Sequence, residues 1–279
     1  MGSFRRPRSG IHFDAGRVAV AEVEKQGSRL KLRSHEVAYL TDRVLIPDLL
    51  LPGIRDEELV QKTLRAMLKP GRRLKPVSVS LSDTVAKVTL IPIERSITKP
   101  AEIEKLIQWK MDKDSIHQPK ESRLRYQLLP SLLLASSIHE KVILQYESVL
   151  QASGLEPRLM DISSFHVFNL YHDHILRHSA PQHNFIFLDA GDSFTTVMFF
   201  SGGILNFIRI KALRSQTRSV EDRVIEELRS SLSFYLAFYK KGHDGMSFTH
   251  LFTAGLSVAE ALSKSSGESL PGEVVQLKP

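Results

Sequence analysis

The sequence Phe13-Asp14-Ala15-Gly16, near the start of the chain, has a counterpart past its middle in Leu188-Asp189-Ala190-Gly191, where an apolar residue again precedes Asp-Ala-Gly. Each copy ends a short apolar run and is followed by alternating apolar residues, a pattern typical of strand, tight turn and strand. Glycine permits a positive φ at such a turn, and aspartate is common there. Each copy therefore predicts a β-hairpin that opens a sheet.

The two aspartates point to a chemistry for these hairpins. If the hairpins face each other across a cleft, their backbone N–H groups can cradle nucleotide phosphates. Asp14 and Asp189 would then hold Mg²⁺, usually through water. The alternative is that Asp-Ala-Gly is ordinary turn chemistry. One copy alone favours the ordinary turn, whereas two copies in matching contexts leave both interpretations open.

The composition is that of a globular chain with room for one large or two medium domains. Of the 279 residues, 42% are hydrophobic and 25% are charged, which predicts a sizeable core. The lack of cysteine excludes a disulfide framework, a zinc–thiolate site and a thiol nucleophile. The net charge of +7 is spread along the chain, so we expect no nucleic-acid partner.

The sequence also limits the kind of membrane association. Its longest apolar runs, near residues 128–135 and 185–188, are far shorter than the roughly 20 residues of a membrane-spanning helix. Arg5, Arg6 and Arg8 have no apolar stretch behind them, which argues against a signal peptide. Any membrane association is therefore predicted to be peripheral.

Hydrophobic periodicity divides the chain into three parts. Strands and one amphipathic helix occupy the first part, and a helix, two strands and a second helix follow it up to Gly154. A strand and a helix then precede the second hairpin and the longest helix. The predicted domains are a first lobe of residues 1–92 completed by 155–182, an inserted small α/β subdomain of residues 93–154, and a second lobe of residues 183–279.

Four stretches beyond the hairpins resemble a known family. They are Ile107-Gln108-Trp109-Lys110, Gly154-Leu155-Glu156-Pro157, Leu228-Arg229-Ser230-Ser231-Leu232-Ser233-Phe234-Tyr235 and Val274-Val275-Gln276-Leu277-Lys278-Pro279. In order and spacing as well as in residues, the chain from Gly10 to Pro279 resembles the PilM-like, FtsA-like proteins of type IV pilus assembly. The resemblance implies an α/β fold of the actin-like (ribonuclease H-like) type, with two lobes and an FtsA-type inserted subdomain.

The resemblance also implies a nucleotide site. PilM-like proteins bind ATP and Mg²⁺ between their lobes. Asp14 and Gly16 match the first phosphate hairpin of the family, Asp189 and Gly191 match the second, and Gly255 matches the adenosine loop. The two aspartates would be the metal ligands.

The partner implied by the resemblance is a peptide. PilM-like proteins recruit the short cytoplasmic tail of a PilN-like membrane protein and join the inner-membrane complex of pilus assembly. We therefore expect a cytoplasmic protein, peripheral at the inner membrane, that can also self-associate. The expected peptide surface is the helix carrying Ile107 and Trp109, together with the edge of the strand carrying Val85 and Val88. The alternative is that Trp109 is simply a core residue.

Three departures from the family fall on the nucleotide site. The first hairpin lacks its serine-rich tip because Arg17 follows Gly16 at once, and Ala19 replaces the usual lysine. The adenosine loop, Thr253-Ala254-Gly255-Leu256, retains one glycine. The connector at residues 214–222 is much shorter than the family's small subdomain. These departures predict a scaffold with weakened ATP binding and no catalytic residues.

Two other functions remain open at this point. One is an active ATPase or phosphotransferase of the same fold, with Asp189 as base, although phosphoryl transfer needs full neutralisation of the phosphates. The other is the cytoplasmic counterpart in type II secretion, whose members usually carry their own membrane span. Because a fold does not determine a function, the geometry of the site has to discriminate among them.

Overall fold

The chain folds into three β-sheets and six α-helices in the part that the computed structural model describes. The described residues are 7–27, 29–41, 44–69, 71, 74–93, 99–112, 121–179, 183–213, 218–239, 247–264 and 273–278. Arg5 and Arg6 of the basic N-terminus and residues 214–217 of the short connector lie outside them. Within the described residues, no helix combines the length and the apolar character that crossing a membrane requires.

The first sheet is opened by the first predicted hairpin. Strands β1 (Ser9–Asp14), β2 (Arg17–Gln26) and β3 (Arg29–Tyr39) are antiparallel, while β4 (Lys75–Leu81) and β8 (Leu155–Ile162) continue the sheet in parallel. The strand order is β3-β2-β1-β4-β8. Alternate residues of β1, β2 and β4 are buried, as expected for strands with one face on the core.

Helix α1 (Glu57–Leu68) lies between β3 and β4 in the chain and forms where the periodicity predicts it. Asp56 caps its N-terminus by accepting a hydrogen bond from the amide of Leu59 at 2.9 Å. Lys69 ends it in a left-handed conformation. Val60, Leu64 and Leu68 form its buried stripe.

The second sheet repeats the topology of the first. Strands β9 (Phe185–Ala190), β10 (Phe194–Ser201) and β11 (Ile204–Ala212) are antiparallel, and β12 (His250–Gly255) and β13 (Glu273–Gln276) follow in parallel. The order is β11-β10-β9-β12-β13. The long helix α5 (Val220–Tyr239) and the short helix α6 (Ala259–Lys264) bury apolar residues in the core cluster on one of its faces.

The third sheet takes two of its strands from the predicted insert and one from the residues just before it. It has the order β5 (Ala86–Pro92), β7 (Leu132–His139), β6 (Ser122–Leu128). Helix α2 (Pro100–Asp112) packs Ile103, Ile107 and Met111 against Ile91 and Leu133 of this sheet. The stretch from Val77 to Pro92, whose alternation predicts one strand or a pair of strands, forms two strands in two different sheets, separated by a 3-10 turn at Asp83–Val85.

Two compact units divide the chain differently from the predicted domains. One comprises Met1–Ala86, His117–Arg123 and Ile138–Ser163, and the other comprises Lys87–Ile116, Leu124–Ser137 and Ser164–Pro279. The last helix of the predicted insert, α3 (Glu140–Ala152), therefore lies in the first unit. Helix α4 (Ser163–His178), predicted to complete the first lobe, lies almost wholly in the second.

Aromatic packing explains this division. Tyr146 of α3 packs edge-on against Phe13 of β1, with ring centroids 5.2 Å apart. Phe168 of α4 stacks on Phe200 of β10 at 4.9 Å and contacts Phe187 of β9 at 5.3 Å. Each helix buries its apolar stripe on the sheet that offers it aromatic partners, and neighbours in the sequence do not reveal that choice.

Candidate functional site: two Asp-Ala-Gly hairpins

The first hairpin has a tight tip whose amides are engaged within the chain. Asp14 ends β1, and Gly16 turns the backbone with a φ of 60°. The amide of Ala15 donates to Asp14 Oδ1 at 2.8 Å, and the amide of Gly16 donates to the carbonyl of Leu45 at 3.2 Å. Neither of these N–H groups is therefore directed at a ligand.

Asp14 is buried and paired with a cation of its own hairpin. Its residue is 1% exposed, and Nη2 of Arg17 donates to its Oδ2 at 3.1 Å. A charge-assisted hydrogen bond of this kind satisfies and neutralises a carboxylate that would otherwise be costly to bury. The sequence showed Arg17 only as a departure from the family, whereas the structure gives it a definite partner.

Further polar residues lie beside Asp14 at the carboxyl ends of the parallel strands. Phe13 of β1, Leu81 of β4 and Ile162 of β8 are in register. The residues that follow them, Asp14, Ser82 and Ser163, are all buried, and so is Asp83. Ligand sites of α/β sheets commonly lie at this edge. Ser82 and Asp83 are not among the residues predicted from the sequence, although a polar pair directly after a buried strand is a usable signal.

Tyr146 responds electrostatically to this acidic environment. Burial raises the pKa of its phenol, and the negative charge of Asp14 raises that pKa further. Its residue is 1% exposed, so the ionised form would be both desolvated and repelled. Tyr146 is therefore held neutral beside Asp14.

The second hairpin brings together three of the predicted site residues. Asp189 and Ala190 of β9 are in register with Ala254 and Gly255 of β12. The amide of Gly191 closes the turn by donating to the carbonyl of Phe194 at 2.9 Å. Asp189 is 4% exposed. Within the second unit, the phosphate-hairpin residues Asp189 and Gly191 therefore lie beside the predicted adenosine-loop residue Gly255.

Gly255 is required where it stands. Its φ is 81°, a conformation that side chains disfavour. A Cβ atom there would lie 2.2 Å from the carbonyl oxygen of Ala190. The amide of Leu256 donates to that same oxygen at 2.8 Å. The remaining glycine of the loop thus permits close packing of two strands.

Nearby charge also affects Tyr171 of α4. Partial burial raises the pKa of its phenol, and the negative charge of Asp189 adds to the effect. Each hairpin aspartate therefore acts electrostatically on a tyrosine supplied by a helix of the same unit, Tyr146 in the first and Tyr171 in the second. This parallel could not be predicted from the sequence alone.

The residues of the first hairpin do not fit a Mg²⁺–phosphate group. Arg17 already neutralises Asp14, the amides of Ala15 and Gly16 donate inside the chain, and Ala19 offers no cation. The described residues also contain no cluster of three or more His, Asp or Glu side chains able to hold a metal ion. The rings of His174 and His178 on α4 are tilted against each other with centroids 4.1 Å apart, and these two residues alone do not make such a cluster.

The predicted peptide surface changes in the structure. Ile107 and Val85 are fully buried, so their side chains are not available to a peptide. Trp109 is 54% exposed, and it is therefore not a core residue. Two residues along a helix correspond to a rotation of about 200°, which places Trp109 opposite Ile107, on the outer face of α2. Val88 is half-buried on β5, an edge strand that pairs only with β7 among the described strands.

Comparisons with solved structures identify the fold. No family model and no curated protein matches the sequence. A chain of the PilM-PilN type IV pilus biogenesis complex superposes with a TM-score of 0.73 at 17% identity, over 98% of this chain and 89% of that chain. The cytoplasmic domain of EpsL, an inner-membrane component of the type II secretion system of Vibrio cholerae, superposes with a TM-score of 0.56 at 7% identity, over 97% of this chain and 90% of that one.

A third comparison has the same outcome. A Bacteroides thetaiotaomicron protein with an actin-like ATPase fold superposes with a TM-score of 0.56 at 12% identity, over 96% of this chain and 90% of that one. These similarities confirm the α/β actin-like fold and the predicted structural resemblance to PilM-like proteins. At such identities they establish the fold alone.

Proposed function

We propose that this chain is an actin-like scaffold of type IV pilus assembly that binds the cytoplasmic tail of a PilN-like inner-membrane protein. The supporting observation is the superposition on a chain of the PilM–PilN complex over nearly the whole length of both chains. On this proposal the protein is cytoplasmic and is held at the inner membrane through its partner.

The edge of β5 and the outer face of α2 supply the peptide surface. The outer edge of β5 offers main-chain groups to an extended peptide, which could add as a further strand. Trp109, on the outer face of α2, offers an exposed aromatic ring of the kind that dominates binding energy at interfaces. Ile107 and Val85 are buried and offer no exposed side chain to the peptide.

Trp109 also provides the measurement, because it is the only tryptophan in the chain. Titration with a synthetic PilN-like tail peptide should change Trp109 fluorescence, and calorimetry should give the affinity. We expect Trp109→Ala to weaken binding by about tenfold or more. Gln108→Ala, an exposed neighbour on the same helix, is the matched control and should bind normally.

A second variant examines the strand edge. Val88→Lys places a charge on β5 and should weaken binding if the peptide adds there. If neither Trp109→Ala nor Val88→Lys alters the affinity, the peptide binds elsewhere on the chain. Deletion of residues 93–154 is a poor test, because it would also remove α3, which packs on the first sheet.

The nucleotide part of the proposal is that ATP binding is weakened or lost. The ion pair of Arg17 with Asp14 supports it, because the carboxylate that would face Mg²⁺ is already neutralised. Mg·ATP titrated into the protein should give little heat. Sub-micromolar affinity that Asp14→Ala abolishes would contradict this part and favour an active ATPase.

The type II secretion alternative is supported by the EpsL superposition, which again concerns the fold. The two readings differ in the partner, and a binding assay can separate them. Tail peptides of PilN-like proteins and of type II secretion inner-membrane proteins should be compared under identical conditions. Selective binding of a secretion peptide would favour the alternative.

A further inference from the structure

Strand β3 forms one edge of the first sheet and carries an exposed apolar row. Among the described strands it pairs only with β2. Leu30, Leu32, Val37 and Tyr39 are exposed by 70%, 53%, 42% and 79%. An edge strand presents backbone N–H and C=O groups outward, and a long apolar edge promotes pairing with another strand.

A β-bulge brings these apolar side chains onto one face. Leu32 is opposite Val23 and Ser34 is opposite Glu22, so Arg33 is an additional residue in β3. Such an insertion shifts the alternation of side chains by one position. Leu30 and Leu32 therefore lie on the same face as Val37 and Tyr39, although Leu32 and Val37 are five positions apart, an odd offset that would put them on opposite faces of a regular strand.

We propose that β3 is a self-association edge, at which a second copy of the chain pairs antiparallel about a two-fold axis through this bulge. The axis passes between Arg33 and Ser34. Because the bulge lies at this point, residues that face each other across the interface have their side chains on the same face of the joined sheet. The axis places Lys31 opposite Glu36, Leu30 opposite Val37, and Leu32 opposite His35.

Charge and strand register both favour a copy of the same chain as the occupant. Lys31 and Glu36 are exposed and share the opposite face, since their partners on β2 are Glu24 and Val20. In the symmetric pairing each Lys31 meets a Glu36, and the two-fold axis makes every pair occur twice. Opposite charges directly across two strands are stabilising, whereas a one-residue slip would set the apolar row against the polar face.

The test is the association of the full chain measured by sedimentation over a range of concentrations. The wild-type protein should form a dimer, and Lys31→Glu and Glu36→Lys should each raise its dissociation constant on the order of tenfold, because each creates two like-charge pairs. The double variant Lys31→Glu/Glu36→Lys restores opposite charges and should restore the dimer. Lys62→Glu, an equal charge change at an exposed position of α1, should leave it unchanged.

Three outcomes would overturn the proposal. A chain that stays monomeric at every concentration has no such interface. A dimer that withstands both single variants uses another surface. A double variant that fails to recover dimerisation, while its melting temperature matches that of the wild type, shows that Lys31 and Glu36 do not face each other.

Discussion

Arg17 and Asp14 form an ion pair across the tip of the first hairpin, with Nη2 of the guanidinium 3.1 Å from Oδ2 of the carboxylate. The carboxylate is the one that the sequence predicts as a metal ligand, and the guanidinium supplies positive charge to it from within the chain. A buried carboxylate needs such a partner, because leaving it unpaired is costly. On the proposed function, the ion pair therefore stabilises the hairpin and also occupies the carboxylate that would otherwise face Mg²⁺.

Replacing Arg17 by serine tests whether the ion pair both stabilises the fold and keeps Mg²⁺ from Asp14. We expect Arg17→Ser to lose about 1.5–3 kcal/mol of unfolding free energy, since a buried carboxylate loses a charged hydrogen bond. Mg²⁺ should partly restore the melting temperature of this variant and leave that of the wild type unchanged. Arg55→Ser, at an exposed loop position, is the control for loss of an arginine. A variant as stable as the wild type, with no response to Mg²⁺, would show that the ion pair has no such role.

The raised pKa of Tyr146 predicts a dependence of stability on alkaline pH. The folded-state pKa of Tyr146 lies above the usual tyrosine value of about 10. The neutral phenol therefore contributes fully to the free energy of unfolding below about pH 10, and this contribution is lost as the pH rises above that value. Denaturant unfolding from pH 8 to 11.5 should show a steeper loss in the wild type than in Tyr146→Phe. Tyr39→Phe, which alters a side chain that is 79% exposed, should follow the wild type. Identical slopes for all three proteins would refute the assignment.

Gln145 should hold the loop that supports the first hairpin. It accepts from the amide of Ile54 at 2.9 Å and donates to the carbonyl of Ile54 at 2.8 Å. Ile54 bridges to Leu45, whose carbonyl receives the amide of Gly16. Gln145→Ala should therefore cost about 1–3 kcal/mol and speed amide exchange of residues 44–56. Gln151→Ala, exposed on the same helix, is the control, and unchanged exchange in Gln145→Ala would contradict this role.

Gly255→Ala tests the close approach of β12 to the second hairpin. The positive φ and the carbonyl of Ala190, 2.2 Å from the site of a Cβ, should make this variant less stable by about 1–3 kcal/mol. Gly10→Ala is the matched control, because a Cβ there would meet nothing within 4 Å. It should be neutral or slightly stabilising. Equal midpoints of denaturation for the two variants would be inconsistent with the strained position.

The repeated tetrapeptide and the local signals around it were sufficient to predict the elements. Hairpins follow from Asp-Ala-Gly between alternating apolar runs, and α1 follows from Asp56, a buried stripe and the break after Lys69. These features depend on residues close in the sequence, whose turn, capping and burial preferences act locally. The resemblance to PilM-like proteins rested on the order and spacing of such elements, and superposition confirms it.

The sequence by itself therefore determined the two hairpins, most of the helices and the actin-like fold class. Tertiary structure alone decided that α3 and α4 pack on different sheets, that Val77 to Pro92 divides between two sheets, and that the guanidinium of Arg17 lies on Asp14. The physical reason is that these outcomes depend on which apolar faces and charges meet over long separations in the chain. Local propensity does not encode that choice, which the packing of the whole core makes.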